Sequence, residues 1–116
     1  RGHLCGDVVL KTFAEMLTSL LHRPCDVITR FGGEEFAVLL PNTPCAGAEH
    51  VADLIVKAAA DKLYLWENQT LHVTASIGIF TRVPVHQEPQ AAWVAKADSA
   101  LYQAKQSGRN RWIRTA

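Results

Sequence analysis

Asp26-Val27-Ile28-Thr29-Arg30-Phe31-Gly32-Gly33-Glu34-Glu35-Phe36-Ala37-Val38-Leu39-Leu40 holds two apolar runs joined by two glycines and two carboxylates. The first run, Asp26 to Phe31, reads as a strand rich in β-branched side chains. The second, Phe36 to Leu40, is uninterrupted and closed by Pro41, the pattern of a strand buried on both faces. Gly32-Gly33 then reads as the hairpin connection, since glycine tolerates positive φ and has no Cβ to keep a ligand phosphate from the backbone. Side chains alternate along a strand, so Glu34 and Glu35 are expected on opposite faces. From these residues alone, a plain hairpin with solvated glutamates is the leading reading. The second is a corner for phosphate and a hard cation such as magnesium, which takes one or two carboxylates and fills its shell with water and phosphate oxygen.

Working outward, Val9, Leu10, Phe13, Met16, Leu17, Leu20 and Leu21 recur at helical spacing, predicting an amphipathic helix from Asp7 to about Leu21 with Gly6-Asp7 at its start. Asn42-Thr43-Pro44 reads as a cap with proline in the first turn, opening an Ala-rich helix through about Lys62. Leu71 to Phe80 reads as one strand, in which Gly78 signals a bulge or a close backbone approach. A polar, proline-bearing loop covers about Thr81 to Gln90. A last helix runs to Ser107 and closes at Gly108, followed by a short strand around Arg111 to Arg114. This order predicts an α/β (α+β) fold with helices flanking a mainly antiparallel central sheet.

Composition fits one soluble domain: 116 residues, 48% hydrophobic and 20% charged, with no run long enough to span a bilayer. A formal net charge of +1 argues against nucleic acid as a partner, although Lys105, Arg109, Arg111 and Arg114 cluster late in the chain. The three cysteines, Cys5, Cys25 and Cys45, have neither disulfide-framework nor zinc spacing, which suits a reducing cytoplasm.

Three separated stretches share one family resemblance. Gly32-Gly33-Glu34-Glu35-Phe36 resembles the signature of the GGDEF family of diguanylate cyclases in its GGEEF form. Gly2-His3-Leu4-Cys5-Gly6-Asp7-Val8-Val9-Leu10 resembles the family's GHxxGDxxL stretch, and Ala97 to Asn110 its ADxALYxAKxxGRN stretch. The resemblance implies a nucleotide-cyclase and polymerase-palm-like domain. It implies joining of two GTP molecules into cyclic di-GMP with release of two pyrophosphates, one GTP on each domain of a head-to-head homodimer.

By motif position the resemblance makes Glu34 the ligand of Mg2+ or Mn2+ and gives Glu35 metal or transition-state support. Gly32 and Gly33 lie against the nucleotide. Asp7 accepts hydrogen bonds from guanine, and Lys105 and Arg109 contact the triphosphate. The alternatives stay open: helix capping for Asp7, and cations favoured at a helix C-terminus for Lys105 and Arg109, whose four-residue spacing would set them side by side on one helix. Arg23-Pro24-Cys25-Asp26 resembles the family's RxxD inhibitory motif at its expected offset, against a surface salt bridge. The second arginine often found with that motif has no counterpart around His50 to Leu54.

The resemblance also expects a central strand ahead of Gly2, ending like DxDxFKxxN with a metal aspartate and a guanine-binding asparagine. Residues 1–116 are thus expected to be a single GGDEF domain lacking that strand. Upstream sensor domains are expected, with the domain in the cytoplasm and possibly tethered to a membrane through them. A second reading is a non-catalytic GGDEF domain that binds cyclic di-GMP or a protein partner.

Overall fold

The computed structural model describes residues 2–21, 26–32, 35–81, 83 and 90–115, with the side chains of 2–5, 30–32 and 90 left aside. The elements run α1 (Gly2–Leu20), β1 (Val27–Gly32), β2 (Glu35–Leu39), α2 (Cys45–Asp61), β3 (Tyr64–Trp66), β4 (Gln69–Leu71), β5 (Ser76–Phe80), α3 (Gln90–Gln106) and β6 (Arg111–Thr115). Among the described residues they form three two-stranded ladders: β1 with β2 and β3 with β4, both antiparallel, and β5 with β6, parallel. The mixed architecture expected from the sequence is present.

The core lies where α1 and α2 meet the sheet. Met16 and Leu17 from α1, Ile55 and Ala59 from α2, and Ala75 ahead of β5 form its buried centre. Phe13, Leu20, Ile28, Phe36, Val51 and Ile77 pack around them. The spacing of Phe13, Met16, Leu17 and Leu20 is the three-and-four repeat that puts apolar side chains on one stripe of a helix. On α2 the buried residues are Ala52, Ile55 and Ala59, the same repeat.

Parallel strands need a crossover, and α3 supplies it between β5 and β6. Its approach is very close. A Cβ on Gly78 would collide with the backbone carbonyl of Ala97 and the backbone nitrogen of Leu101, so only glycine lets α3 lie this near β5. Ala100 and Ala104 face the same interface, each fully buried. Phe80 and Trp93 close it with an edge-to-face ring contact at 5.3 Å and 82°. On the other side, Trp112 Nε1 donates to Asp53 Oδ1 at 2.5 Å and Arg114 Nε sits 2.7 Å from Glu49 Oε2, tying β6 to α2.

Several expectations are corrected. Helix α1 begins at Gly2 rather than near Asp7, so Asp7 lies a turn and more inside the helix and does not cap it. On α2 the cap position is Pro44 itself, whose ring carries no acceptor for a side-chain cap bond, while the Thr43 hydroxyl donates to the Pro41 carbonyl. The run from Leu71 to Phe80 is two strands, not one, separated by 72–75.

The β3–β4 hairpin escaped the sequence reading. Its two turn residues, Glu67 and Asn68, both have positive φ (49° and 65°), as a type I′ connection requires. Strand β2 is not buried on both faces: Leu39 is 59% exposed. The close approach expected at Gly78 and the helix closure at Gly108 are both present.

Candidate functional site

The hairpin carrying the two glycines is registered from Val27↔Leu39 at its base to Gly32↔Glu35 at its tip. Arg30 faces Phe36 and Gly32 faces Glu35, so Phe31 is one extra residue on β1, a bulge that re-aims the tip. Gly32 is therefore the last residue of β1 rather than part of the connection, which is 33–34. Gly33 and Glu34 lie outside the described residues, as does the expectation that Glu34 and Glu35 point to opposite faces.

Phe36 turns toward α1, its ring 5.6 Å from that of Phe13. Glu35, the preceding strand residue, is exposed and by alternation faces away from Phe36.

Between α1 and this hairpin lies a cavity of about 530 Å³, bordered by Asp7, Leu10, Lys11, Ala14, Thr18, Ile28 and Phe36. Asp7, Lys11, Ala14 and Thr18 fall at intervals of four, three and four, one stripe along α1. The stripe spans 12 residues, and its eleven steps make about 16 Å at 1.5 Å per residue. It is polar at Asp7 and Lys11 and apolar in its middle, where Leu10, Ala14, Ile28 and Phe36 face one another.

Neither Asp7 nor Lys11 is held by a salt bridge or hydrogen bond to another described residue. Lys11 was missed by sequence reasoning, though its four-residue offset from Asp7 was the signal available. The other missed group is Tyr64, 1% exposed, whose hydroxyl has no hydrogen-bond partner among the described residues and whose ionisation is pushed up from 10.0 by burial.

The cationic corner is built differently from the expectation. Lys105 lies in the last turn of α3. Arg109 does not share that helix. Gly108 has φ 121° and turns the chain, and the Arg109 N–H donates back to the Ala104 carbonyl at 2.9 Å, the six-to-one bond of a Schellman closure. Arg109 itself takes φ 61°, and Arg111 Nε donates to its carbonyl at 3.0 Å. The two cations are thus neighbours around a turn, with Arg109 exposed to solvent. Neither borders the Asp7 cavity.

Asp26, half-buried just ahead of β1, borders a second cavity of about 280 Å³ with Leu40, Thr43, Pro44, Gly47 and Val51. Arg23, its expected companion, lies outside the described residues. No group of three or more His, Cys, Asp or Glu side chains is gathered for a metal among the described residues, and Glu34 is not one of them. None of the described helices is long and apolar enough to cross a membrane.

The family model for the diguanylate cyclase GGDEF domain matches residues 1–111. The chain is 40% identical over 110 residues to diguanylate cyclase A of Treponema denticola, covering 95% of this chain and 29% of that protein. It therefore spans under a third of that relative's length. Among solved structures, it is 31% identical to the active GGEEF domain of a diguanylate cyclase from Vibrio cholerae, with a TM-score of 0.86 over 99% of this chain and 71% of that one. It is 28% identical to the GGDEF domain of DgcB from Caulobacter crescentus, which was solved with cyclic di-GMP, with a TM-score of 0.87 over 97% of this chain and 66% of that one. With the sequence matched almost throughout and the backbone matched alongside it, the chain belongs to the GGDEF family of diguanylate cyclase domains.

Proposed function

We propose that this chain forms one half-site of an enzyme that condenses two GTP molecules into cyclic di-GMP and two pyrophosphates. The observation that carries the reading is the cavity between α1 and the glycine hairpin, with Asp7 at its polar end. The Asp7 carboxylate, an acceptor only, suits guanine's N1–H and N2–H donors. The Gly32 and Gly33 backbone, without Cβ atoms, leaves room for the triphosphate at the tip. Lys105 and Arg109 supply positive charge to its outer phosphates.

A second copy, head to head, brings the other GTP. The 3′-hydroxyl oxygen of each nucleotide forms a bond to the α-phosphorus of the other. The bond from that phosphorus to the β-phosphate bridging oxygen breaks, pyrophosphate leaves with the electron pair, and the hydroxyl proton passes to water. Two such steps close the ring.

Glu34 offers the hard oxygen donor that Mg2+ or Mn2+ prefers, and Glu35, the next residue in the chain, is assigned metal or transition-state support. A bound divalent cation supplies charge stabilisation at the attacking and leaving oxygens. In the apolar middle of the groove we place an extended strand preceding Gly2, carrying a metal aspartate and a guanine asparagine as the family resemblance implies. Asp7 and Lys11 at the groove's polar end stay clear of that strand for the base, and β1 pairs only with β2 among the described residues. Sensor domains upstream of a cytoplasmic catalytic domain complete this reading.

The test is Glu34→Gln in the protein carrying that strand. The change removes one charge and keeps the shape, so cyclic di-GMP synthesis should fall by orders of magnitude while circular dichroism stays that of the parent. Near-parental turnover would remove Glu34 from the metal site.

A second site on the same domain is favoured by the placement of Asp26 at the rim of the smaller cavity. We assign to Arg23 and Asp26 the binding of product cyclic di-GMP, with guanidinium forked onto phosphate or a guanine edge and carboxylate accepting guanine's donors. A domain using this site without catalysis would be a cyclic di-GMP receptor.

A further inference from the structure

Lys11 has no role in the reading above, yet it stands one helical turn from Asp7 on the same stripe of α1 and borders the same cavity. Side chains four residues apart on a helix are neighbours, with Cβ atoms about 5–6 Å apart. An Asp and a Lys so spaced commonly pair with each other. Here no salt bridge joins them, and no other described residue engages either one. The helix therefore presents an acceptor and a cationic donor side by side to one open space.

That pattern has a counterpart. The Watson–Crick edge of guanine carries two donors, N1–H and N2–H, beside one acceptor, O6. Adenine carries a donor at the position of O6 and an acceptor at N1. A carboxylate with an ammonium beside it matches the first arrangement and opposes the second.

We propose that Lys11 is a specificity-determining residue that donates to guanine O6, completing with Asp7 the recognition of the base. The inference rests on the assignment of Asp7 to guanine. Lysine is a compact point donor with three N–H groups on a flexible stem, so it reaches an oxygen at the rim without fixed geometry. Its role is in binding the base and not in phosphoryl transfer. Its loss should accordingly appear in KM and leave kcat little changed.

The experiment compares parent and Lys11→Met proteins carrying the complete domain, with GTP, ITP and 6-thio-GTP as substrates. Methionine keeps the length of the stem and removes the charge and the donors. Loss of a hydrogen bond from a charged group predicts a rise of roughly tenfold or more in KM for GTP, with kcat within twofold or so. ITP keeps O6 and lacks only the 2-amino group, so it should show the same ratio between variant and parent. In 6-thio-GTP sulfur replaces O6 and accepts weakly, so the ratio should fall toward one. Lys11→Arg, which keeps a donor, should recover most of the parental KM for GTP.

Equal ratios for GTP and 6-thio-GTP, or no change with any substrate, would overturn the assignment of Lys11 while leaving the cyclase reading in place. A parent protein that makes no cyclic dinucleotide from GTP would overturn both.

Discussion

Arg23 and Asp26 are the residues whose assignment is most directly checked by binding. Arg23→Ala removes the only forked donor of the pair, so calorimetry should show cyclic di-GMP affinity reduced by tenfold or more, while GTP turnover at low product is unchanged. Equal binding by parent and variant would place the product elsewhere. Tyr64 poses the opposite case, a polar atom whose burial brings no bond among the described residues. Removing an unsatisfied hydroxyl costs nothing in hydrogen bonding, so Tyr64→Phe should hold stability or raise it by about 1 kcal/mol in urea unfolding.

The sign of the pH dependence at Tyr64 follows from its raised pKa. The folded state resists ionisation, so the phenol's share of stability is fully present below the unfolded value and is lost progressively as pH climbs from there through the raised folded value. Parent and Phe variant should therefore diverge only above about pH 10. A loss of more than about 1 kcal/mol at neutral pH would reveal a partner for the hydroxyl.

At the scale of elements, the contact between α3 and β5 is the one a single atom can break. Gly78→Ala puts a Cβ against the backbone of Ala97 and Leu101, neither of which can rotate aside. The helix must move, at a cost of about 1–3 kcal/mol or more, and Lys105 moves with it. The urea midpoint should fall clearly. A Gly78→Ala protein as stable as the parent would mean that α3 sits farther from the sheet. The turn at Gly108 bears on the same corner, because its positive φ is what takes Arg109 off the helix axis.

For the molecule as a whole, the expectation is that residues 1–116 do not make cyclic di-GMP when incubated alone with GTP and magnesium. Phosphoryl transfer asks the protein chiefly for preorganised charge, and on the proposed reading part of that charge comes from a metal aspartate on a further strand. The apolar groove, and the edge of β1 that has no strand partner among the described residues, should also make this chain prone to associate. Chromatography of the reaction decides the matter. Robust synthesis by these residues alone would show that the metal is held elsewhere than on a further strand.

What the sequence determined by itself was local. Periodicity indicated α1, an Ala-rich run after Asn42-Thr43-Pro44 indicated α2, two apolar runs about a Gly-Gly placed the hairpin, and Gly78 and Gly108 announced a close approach and the closure of the last helix, because each signal depends on neighbours within a few residues. It did not show the β3–β4 turn, where Glu67 adopts a positive φ that its residue type disfavours. The motifs named candidate residues but not their company. Only tertiary structure put Asp7 and Lys11 on one cavity with Phe36, set Asp26 at another, and left Lys105 and Arg109 around a turn instead of along a helix. Those relations depend on how α1 packs on the hairpin, where Phe36 lies 25 residues beyond Lys11, and on where a backbone reverses, which residue spacing does not encode.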